Sequence, residues 1–185
     1  MLDDAAKPMT YVAQSGLLGA DLPTHKSLFT SSATSYQMQQ GKDTLEVRLS
    51  WANNGVTVDK IYTFHRNKYV IDVTYEVKNG STMTITPAVY YQIVHDSESN
   101  QGSALMPTFT GGSYYTEATK FKKLAFSDME KEPLKLTSND GWVGLLQHYF
   151  VSAWIPKQGQ PREFYTEKLN EQMYRIGSKS TLSTI

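Results

Sequence analysis

Thr44-Leu-Glu-Val-Arg-Leu-Ser-Trp-Ala-Asn-Asn-Gly-Val-Thr-Val-Asp-Lys-Ile-Tyr-Thr-Phe64 decides the fold class. Leu45, Val47, Leu49 and Trp51 alternate with Thr44, Glu46, Arg48 and Ser50. Strand side chains point to opposite faces in turn, so this period of two reads as a strand with one face buried. Asn53-Asn54-Gly55 then interrupts the pattern. Asn-Gly supplies the positive φ that both central positions of a type I′ turn need, which makes it a hairpin signal. The return strand is expected from about Val56 to Phe64, with Val56, Val58, Tyr62 and Phe64 on one face. Past a turn at Arg66-Asn67-Lys68, Tyr69, Ile71, Val73, Tyr75 and Val77 face one way and Asp72, Thr74 and Glu76 the other. Asn79-Gly80 reads as the next turn. Ile85–Val94 reads as a fourth strand of the same meander, with Pro87 marking an edge position or a bulge. Short strands between polar turns predict an all-β fold, a sandwich or a large antiparallel sheet stack.

The flanks are less regular. Residues 14–36, rich in Gly, Ser, Thr and Ala, read as loop, and residues 96–118 as a long loop interrupted by the apolar stretch Leu105–Phe109. Residues 118–131 accommodate a helical turn or two, or a strand over Lys122–Phe126, and Pro133 ends either. The run Gly141-Trp-Val-Gly-Leu-Leu-Gln-His-Tyr-Phe-Val-Ser-Ala-Trp-Ile-Pro156 is mostly apolar. It is shorter than the ~20 residues of a membrane span and carries Gln147 and His148 at its middle. Its spacing fits a helical stripe as well as strands. Gly141 and Gly144 each disfavour a helix by ~1 kcal/mol relative to Ala, and its aromatic and β-branched residues suit a pleated surface. Two consecutive, largely buried strands are therefore expected, Trp142–Gln147 and His148–Ile155, followed by Glu163–Leu169 and Met173–Ser183. A chain of 185 residues fits a single domain over 1–185. Ser180–Ile185 stops inside an alternating segment, and Met1-Leu-Asp-Asp opens without an apolar leader. The chain is thus expected to be a fragment truncated at both ends.

Eighteen basic and 18 acidic residues cancel, which argues against a nucleic-acid partner, because such binding needs a basic face. The absence of Cys excludes disulfides, thiol catalysis and thiolate metal sites. No phosphate-binding Gly-rich loop, serine-hydrolase elbow or zinc-protease motif occurs. His25, His65, His95 and His148 are each more than four residues from the next, so no compact imidazole metal motif exists. No catalytic, cofactor-binding or metal-binding residue is assigned, and no cofactor is expected. His95-Asp96 with Glu98 is the best acid–base candidate, at a strand end where His95 would donate a proton and Glu98 orient it. A strand end running into a polar loop explains the same residues more simply. His148 and Tyr91 join His95 as candidate cleft residues. Trp142, Phe150 and Trp154 read as core. Tyr114 and Tyr115, beside Gly111-Gly112, divide between core and a surface for sugar rings or apolar peptide. The cations Lys120, Lys122 and Lys123 are either a solvated face or a docking patch for an acidic partner.

The Gly141–Pro156 segment resembles the signature segment of the large periplasmic domain of YidC, the membrane protein insertase of Gram-negative bacteria. Ala13-Gln-Ser-Gly-Leu17, the hairpin Phe64-His-Arg-Asn-Lys-Tyr-Val-Ile-Asp-Val-Thr-Tyr75, Glu163-Phe-Tyr-Thr166 and Ile176-Gly-Ser-Lys-Ser180 follow the family's order. The resemblance covers most of the chain. It implies a super-β-sandwich of antiparallel sheets, galactose-mutarotase-like, with at most one or two short helices. It places the domain on the periplasmic side of the inner membrane, in a protein that is itself membrane-embedded. The implied role is non-catalytic, supporting insertion and folding of inner-membrane proteins. The implied partners are accessory subunits of the Sec translocon (SecD/SecF type) and nascent membrane proteins. The family's accessory-subunit contact corresponds to residues of about 90–135, which makes Tyr114, Tyr115, Lys120, Lys122 and Lys123 candidate partner-binding residues. The mutarotase kinship supplies the alternative, a carbohydrate-binding or mutarotase-type enzyme with His95 or His148 as its acid. A chaperone-like cleft for apolar peptide is a third reading.

Overall fold

The computed structural model describes residues 10–97, 109–147 and 149–185. Its elements are β1 (Tyr11–Leu18), β2 (Thr30–Ser31), β3 (Thr44–Asn53), β4 (Val56–His65), β5 (Ile71–Asn79), β6 (Ala88–Asp96), β7 (Gly111–Tyr115), β8 (Lys122–Leu124), α1 (Phe126–Lys131), β9 (Lys135–Ser138), β10 (Trp142–Gln147), β11 (Phe150–Trp154), β12 (Arg162–Lys168) and β13 (Met173–Thr181). Every strand pair with a described register is antiparallel, so the all-β sandwich expectation holds. The chain divides into two compact units, Met1–Gly16 with Ala88–Leu182, and Leu17–Pro87 with Ser183–Ile185.

The second unit is the meander. Its sheet runs β2-β3-β4-β5, and Asn54 and Gly55 both take positive φ (48° and 81°) in the turn the sequence marks. Leu45 faces Phe64, Val47 faces Tyr62 and Trp51 faces Val58 across the β3–β4 pair, which gathers the alternating apolar residues on one face. The opposite face carries Arg48, which donates to Asp59 at 2.9 Å and Glu76 at 2.6 Å. Lys60 is buried among the apolar residues, its ammonium 5.1 Å from the Tyr62 ring centroid and 5.7 Å from that of Tyr75.

The expected fourth strand of this meander is instead a central strand of the first unit, between β1 and β13 in the order β1-β6-β13-β12-β9. The reason lies in its side chains. Val89, Tyr90, Gln92, Ile93, Val94 and His95 are all buried, on both faces, which only a strand covered on both sides sustains. Pro87 precedes its first residue, so it removes no ladder donor. Asn79 ends β5 without a tight turn: its amide donates to the carbonyls of Met83 and Ile185, and its side-chain oxygen accepts from Ser81.

The other sheet of the first unit runs β11-β10-β7-β8. Ile93, Phe164, Tyr174 and Ile176 from the five-stranded sheet, Val143 and Leu145 from β10, and Met129 from α1 form one buried cluster. Gly112 lets α1 and β13 close over β7, since a Cβ there would lie 2.3 Å from Met129 Cε and 2.8 Å from Ile176 Cδ1. β10 spans the expected residues and is largely buried. β11 is not, because it is the edge of its sheet: Phe150 is 71% and Val151 60% exposed. β1, β7 and β9 lie where the sequence shows loop or no clear pattern. They are Gly-, Ser- or Thr-bearing strands held by neighbours rather than by their own alternation.

Candidate functional site

The sequence nominates two sites, and both fall in the first unit. The first surrounds the β7–β8 connection. β7 pairs with β8 so that Ser113 faces Lys123 and Tyr114 faces Lys122. Tyr114 is half-buried against the central cluster. Tyr115 points its hydroxyl elsewhere, donating to Glu117 at 2.9 Å, and Lys120 donates to the same carboxylate at 2.8 Å. The turn between them is fixed from within. Lys120 N–H donates to the Thr116 carbonyl at 2.8 Å, the Thr116 and Thr119 hydroxyls lie 2.7 Å apart, and Lys120 takes a left-handed φ of 57°. Hydrogen bonds from Lys120 and then Tyr115 hold Glu117 below the usual carboxylate range, and the same carboxylate raises Lys120. Lys122 and Lys123 are exposed on β8, the other edge of this sheet, with the Lys123 ammonium 5.0 Å from the Phe109 ring centroid. The five nominated residues thus separate into a core-facing tyrosine, a locally neutralised turn and two lysines on a sheet edge. Glu117, which the sequence reading missed, organises the turn; its spacing of three from Lys120 was the available signal.

The second site lies on β6. His95 is fully buried, facing Tyr174 across the β6–β13 pair, with the Tyr11 ring edge-on at 5.1 Å and Phe126 at 5.9 Å. Its Nδ1 meets the Asp96 carbonyl and its Nε2 meets the Gln147 side-chain amide at 2.6 Å. One tautomer fits both contacts: Nδ1–H donates to the carbonyl, and Nε2 accepts from the amide N–H. Burial lowers its pKa, opposed by the Asp96 carbonyl and charge, so the neutral form is favoured. Tyr91 stands four residues earlier on the same strand face, its ring 5.0 Å from Trp154, and burial pushes its hydroxyl up to about 12. Trp154 Nε1 donates to the Gln92 carbonyl at 3.0 Å, so an aromatic pair and a hydrogen bond tie β11 to β6. His148 and Glu98 lie outside the described residues.

Neither site includes the open groove of about 650 Å³ in the second unit, lined by Leu28, Thr30, Ser50, Trp51, Ala52, Thr57 and Asp59. Among the described residues, no group of three or more His, Asp or Glu side chains is arranged to hold a metal ion, and no helix is long and apolar enough to cross a membrane.

The family model described as "YidC periplasmic domain" matches residues 1–185. The chain belongs to the YidC periplasmic domain family. It is 60% identical over its whole length to the membrane protein insertase YidC of Methylobacillus flagellatus. It is 46% identical over 90% of its length to that of Nitrosospira multiformis, and 41% identical over its whole length to that of Burkholderia thailandensis. It spans about a third of each of those proteins: 34%, 30% and 34%. Membership places this YidC periplasmic domain on the periplasmic side of the bacterial inner membrane. The composition of the Gly141–Pro156 run has physical reasons. Val143 and Leu145 fill the core between two sheets, Trp154 locks β11 to β6, and Gly141 lets β10 begin against β7, where a Cβ would lie 1.9 Å from the Tyr115 carbonyl oxygen.

Proposed function

We propose that this chain is a non-catalytic interaction domain of a YidC-type insertase. In this reading it supports insertion and folding of inner-membrane proteins by docking to Sec accessory subunits of the SecD/SecF type and by contacting nascent membrane proteins. Residues 1–185 act as one periplasmic domain, in keeping with a family model that spans them all.

The observation that carries the reading is the state of the two nominated sites. At the β6 site, both ring nitrogens of the best proton-donor candidate are engaged, by a backbone carbonyl and a side-chain amide, and burial favours the neutral ring. A general acid must carry a proton to give and hold it within reach of the reacting group. At the β7–β8 site, Lys122 and Lys123 stand exposed on an edge strand, where backbone donors and acceptors are open to another chain and two cations favour an acidic one. Lys120 is already engaged by Glu117 and contributes less.

The test is retention of a purified SecD/SecF complex by the immobilised chain. Lys122→Glu with Lys123→Glu reduces retention severalfold at low salt, whereas Lys120→Met leaves it near the parent level. Equal retention by the double variant and the parent removes the β8 edge as the docking surface.

A further inference from the structure

The tip of the β4–β5 hairpin is where apolar side chains project without cover. Alternation assigns Tyr69 to the face of Ile71, Val73, Tyr75 and Val77. Strand pairing, however, stops at Phe64 opposite Ile71, and Asn67 turns the chain through a left-handed φ of 59°. Tyr69 is consequently 105% exposed, and Val70 and Ile71 beside it are exposed as well. Three consecutive apolar residues where the turn enters β5 leave about half or more of their surface uncovered, and an exposed apolar cluster of this kind marks a contact surface. Cations surround it: Lys42, Arg66 and Lys68 are all exposed. Arg66 donates from Nε to the Lys42 carbonyl and from Nη2 to the Gln39 carbonyl, each at 2.9 Å, which fastens the segment before β3 to the tip. Of the two carboxylates nearby, Asp43 and Asp72, the second is engaged by His65 Nε2 at 2.7 Å.

We propose that this tip, Arg66–Ile71 with Lys42, is a membrane-contact element that seats in the interface of an anionic bilayer. Tyr69, Val70 and Ile71 enter the boundary between headgroups and acyl chains, the depth at which amphipathic aromatic rings settle. Lys42 and Lys68 lay their aliphatic stems along that boundary and turn their charges to lipid phosphates, while Arg66, its guanidinium held by the Lys42 and Gln39 carbonyls, adds its positive charge in place. The bilayer is the occupant because the family stands on the periplasmic side of a membrane and because the pattern joins an apolar apex to a cationic collar. This contact is independent of the docking edge on β8 and lies in the other unit.

The absence of Cys allows a single environment-sensitive label. An NBD fluorophore on Val70→Cys shifts to the blue when the chain meets phosphatidylglycerol/phosphatidylethanolamine vesicles, and the unlabelled chain floats with them. The same label on Gln160→Cys, an exposed residue of the first unit, does not shift. Lys68→Ala weakens partitioning about five-fold, the equivalent of roughly 1 kcal/mol for one cation near an anionic surface. Tyr69→Ser with Val70→Ser weakens it on the order of ten-fold. Phosphatidylcholine vesicles bind less than the anionic ones. No shift at position 70, equal shifts at 70 and 160, equal binding to both vesicle types, or parent-level binding by the two variants each overturns the proposal.

Discussion

Arg162→Met should cost this domain more stability than the loss of any one of its surface ion pairs, since an exposed pair contributes about 1 kcal/mol at most. Arg162 is only 2% exposed, yet no carboxylate is among its hydrogen-bond acceptors in the described structure. Its guanidinium donates to backbone carbonyls instead: Gln160 at 3.0 and 2.8 Å, Pro156 at 3.1 Å, Asn139 at 3.0 Å, and Lys157. Burial lowers its pKa and the nearby Asp140 charge opposes that. Gln158 extends the clasp: its Oε1 accepts from Gly141 N–H at 2.9 Å, and its amide donates to the Pro156 carbonyl at 3.0 Å. The turn before β10 is thereby bound to the β11–β12 connection, which crosses from one sheet of the first unit to the other. Hydrogen bonds to a charged group contribute about 1.5–3 kcal/mol each, and four carbonyl partners would sum to far more than is lost. Asn139, Lys157 and Gln160 are exposed, so water replaces most of the missing donors. A net loss of about 3 kcal/mol is the expected balance. For a chain of this size 1 kcal/mol moves the melting temperature by about 2–4 °C, so the transition falls by roughly 6–12 °C. Arg162→Lys, which keeps the charge but not the planar fork, loses about half as much. Hydrogen exchange followed by mass spectrometry localises the effect. Amides of β10, β11 and β12 lose protection, while those of β3, β4 and β5 keep theirs. A variant that melts within about 2 °C of the parent, less than 1 kcal/mol on the same scale, or that loosens both units equally, refutes the clasp.

His95 gives a prediction about pH. Its folded-state pKa is lowered by burial, so below the ordinary value of ~6.5 the unfolded chain binds a proton that the folded chain resists. Its stabilising contribution is full above that value and is lost as pH falls from there through the folded pKa. The difference in melting temperature between the parent and His95→Gln should therefore shrink as the pH is lowered from about 7.5 to about 5.5; a constant difference contradicts a neutral buried ring. Mutarotation of α-galactose, followed by optical rotation, should proceed no faster with the purified chain than in buffer, and acceleration abolished by His95→Gln would restore the enzymatic reading.

Alternation in Thr44–Val77, the Asn-Gly turn and the wording of Gly141–Pro156 sufficed for the all-β class, the β3–β5 meander, the limits of β10 and the family. Each rests on neighbours in the chain: a side-chain period of two, a backbone that needs positive φ, a local run of aromatics. The candidate site was legible as residue types but not as an arrangement. Nothing local says that Tyr114 turns to the core, or that the apparent fourth meander strand leaves for another sheet. β6 is drawn there because its side chains are buried on both faces, and its backbone then needs a pairing strand on each edge, β1 from the start of the chain and β13 from its far end. β11 reads as core by composition and becomes a solvent-facing edge because its sheet stops there. Arg162 looks like any surface cation until the Asn139 carbonyl from the turn before β10 joins those of the adjoining Pro156–Gln160 connection around it. Partners separated by tens of residues meet only when the sheets close, and that closure, rather than any motif, decided which side chains face the core and which face solvent.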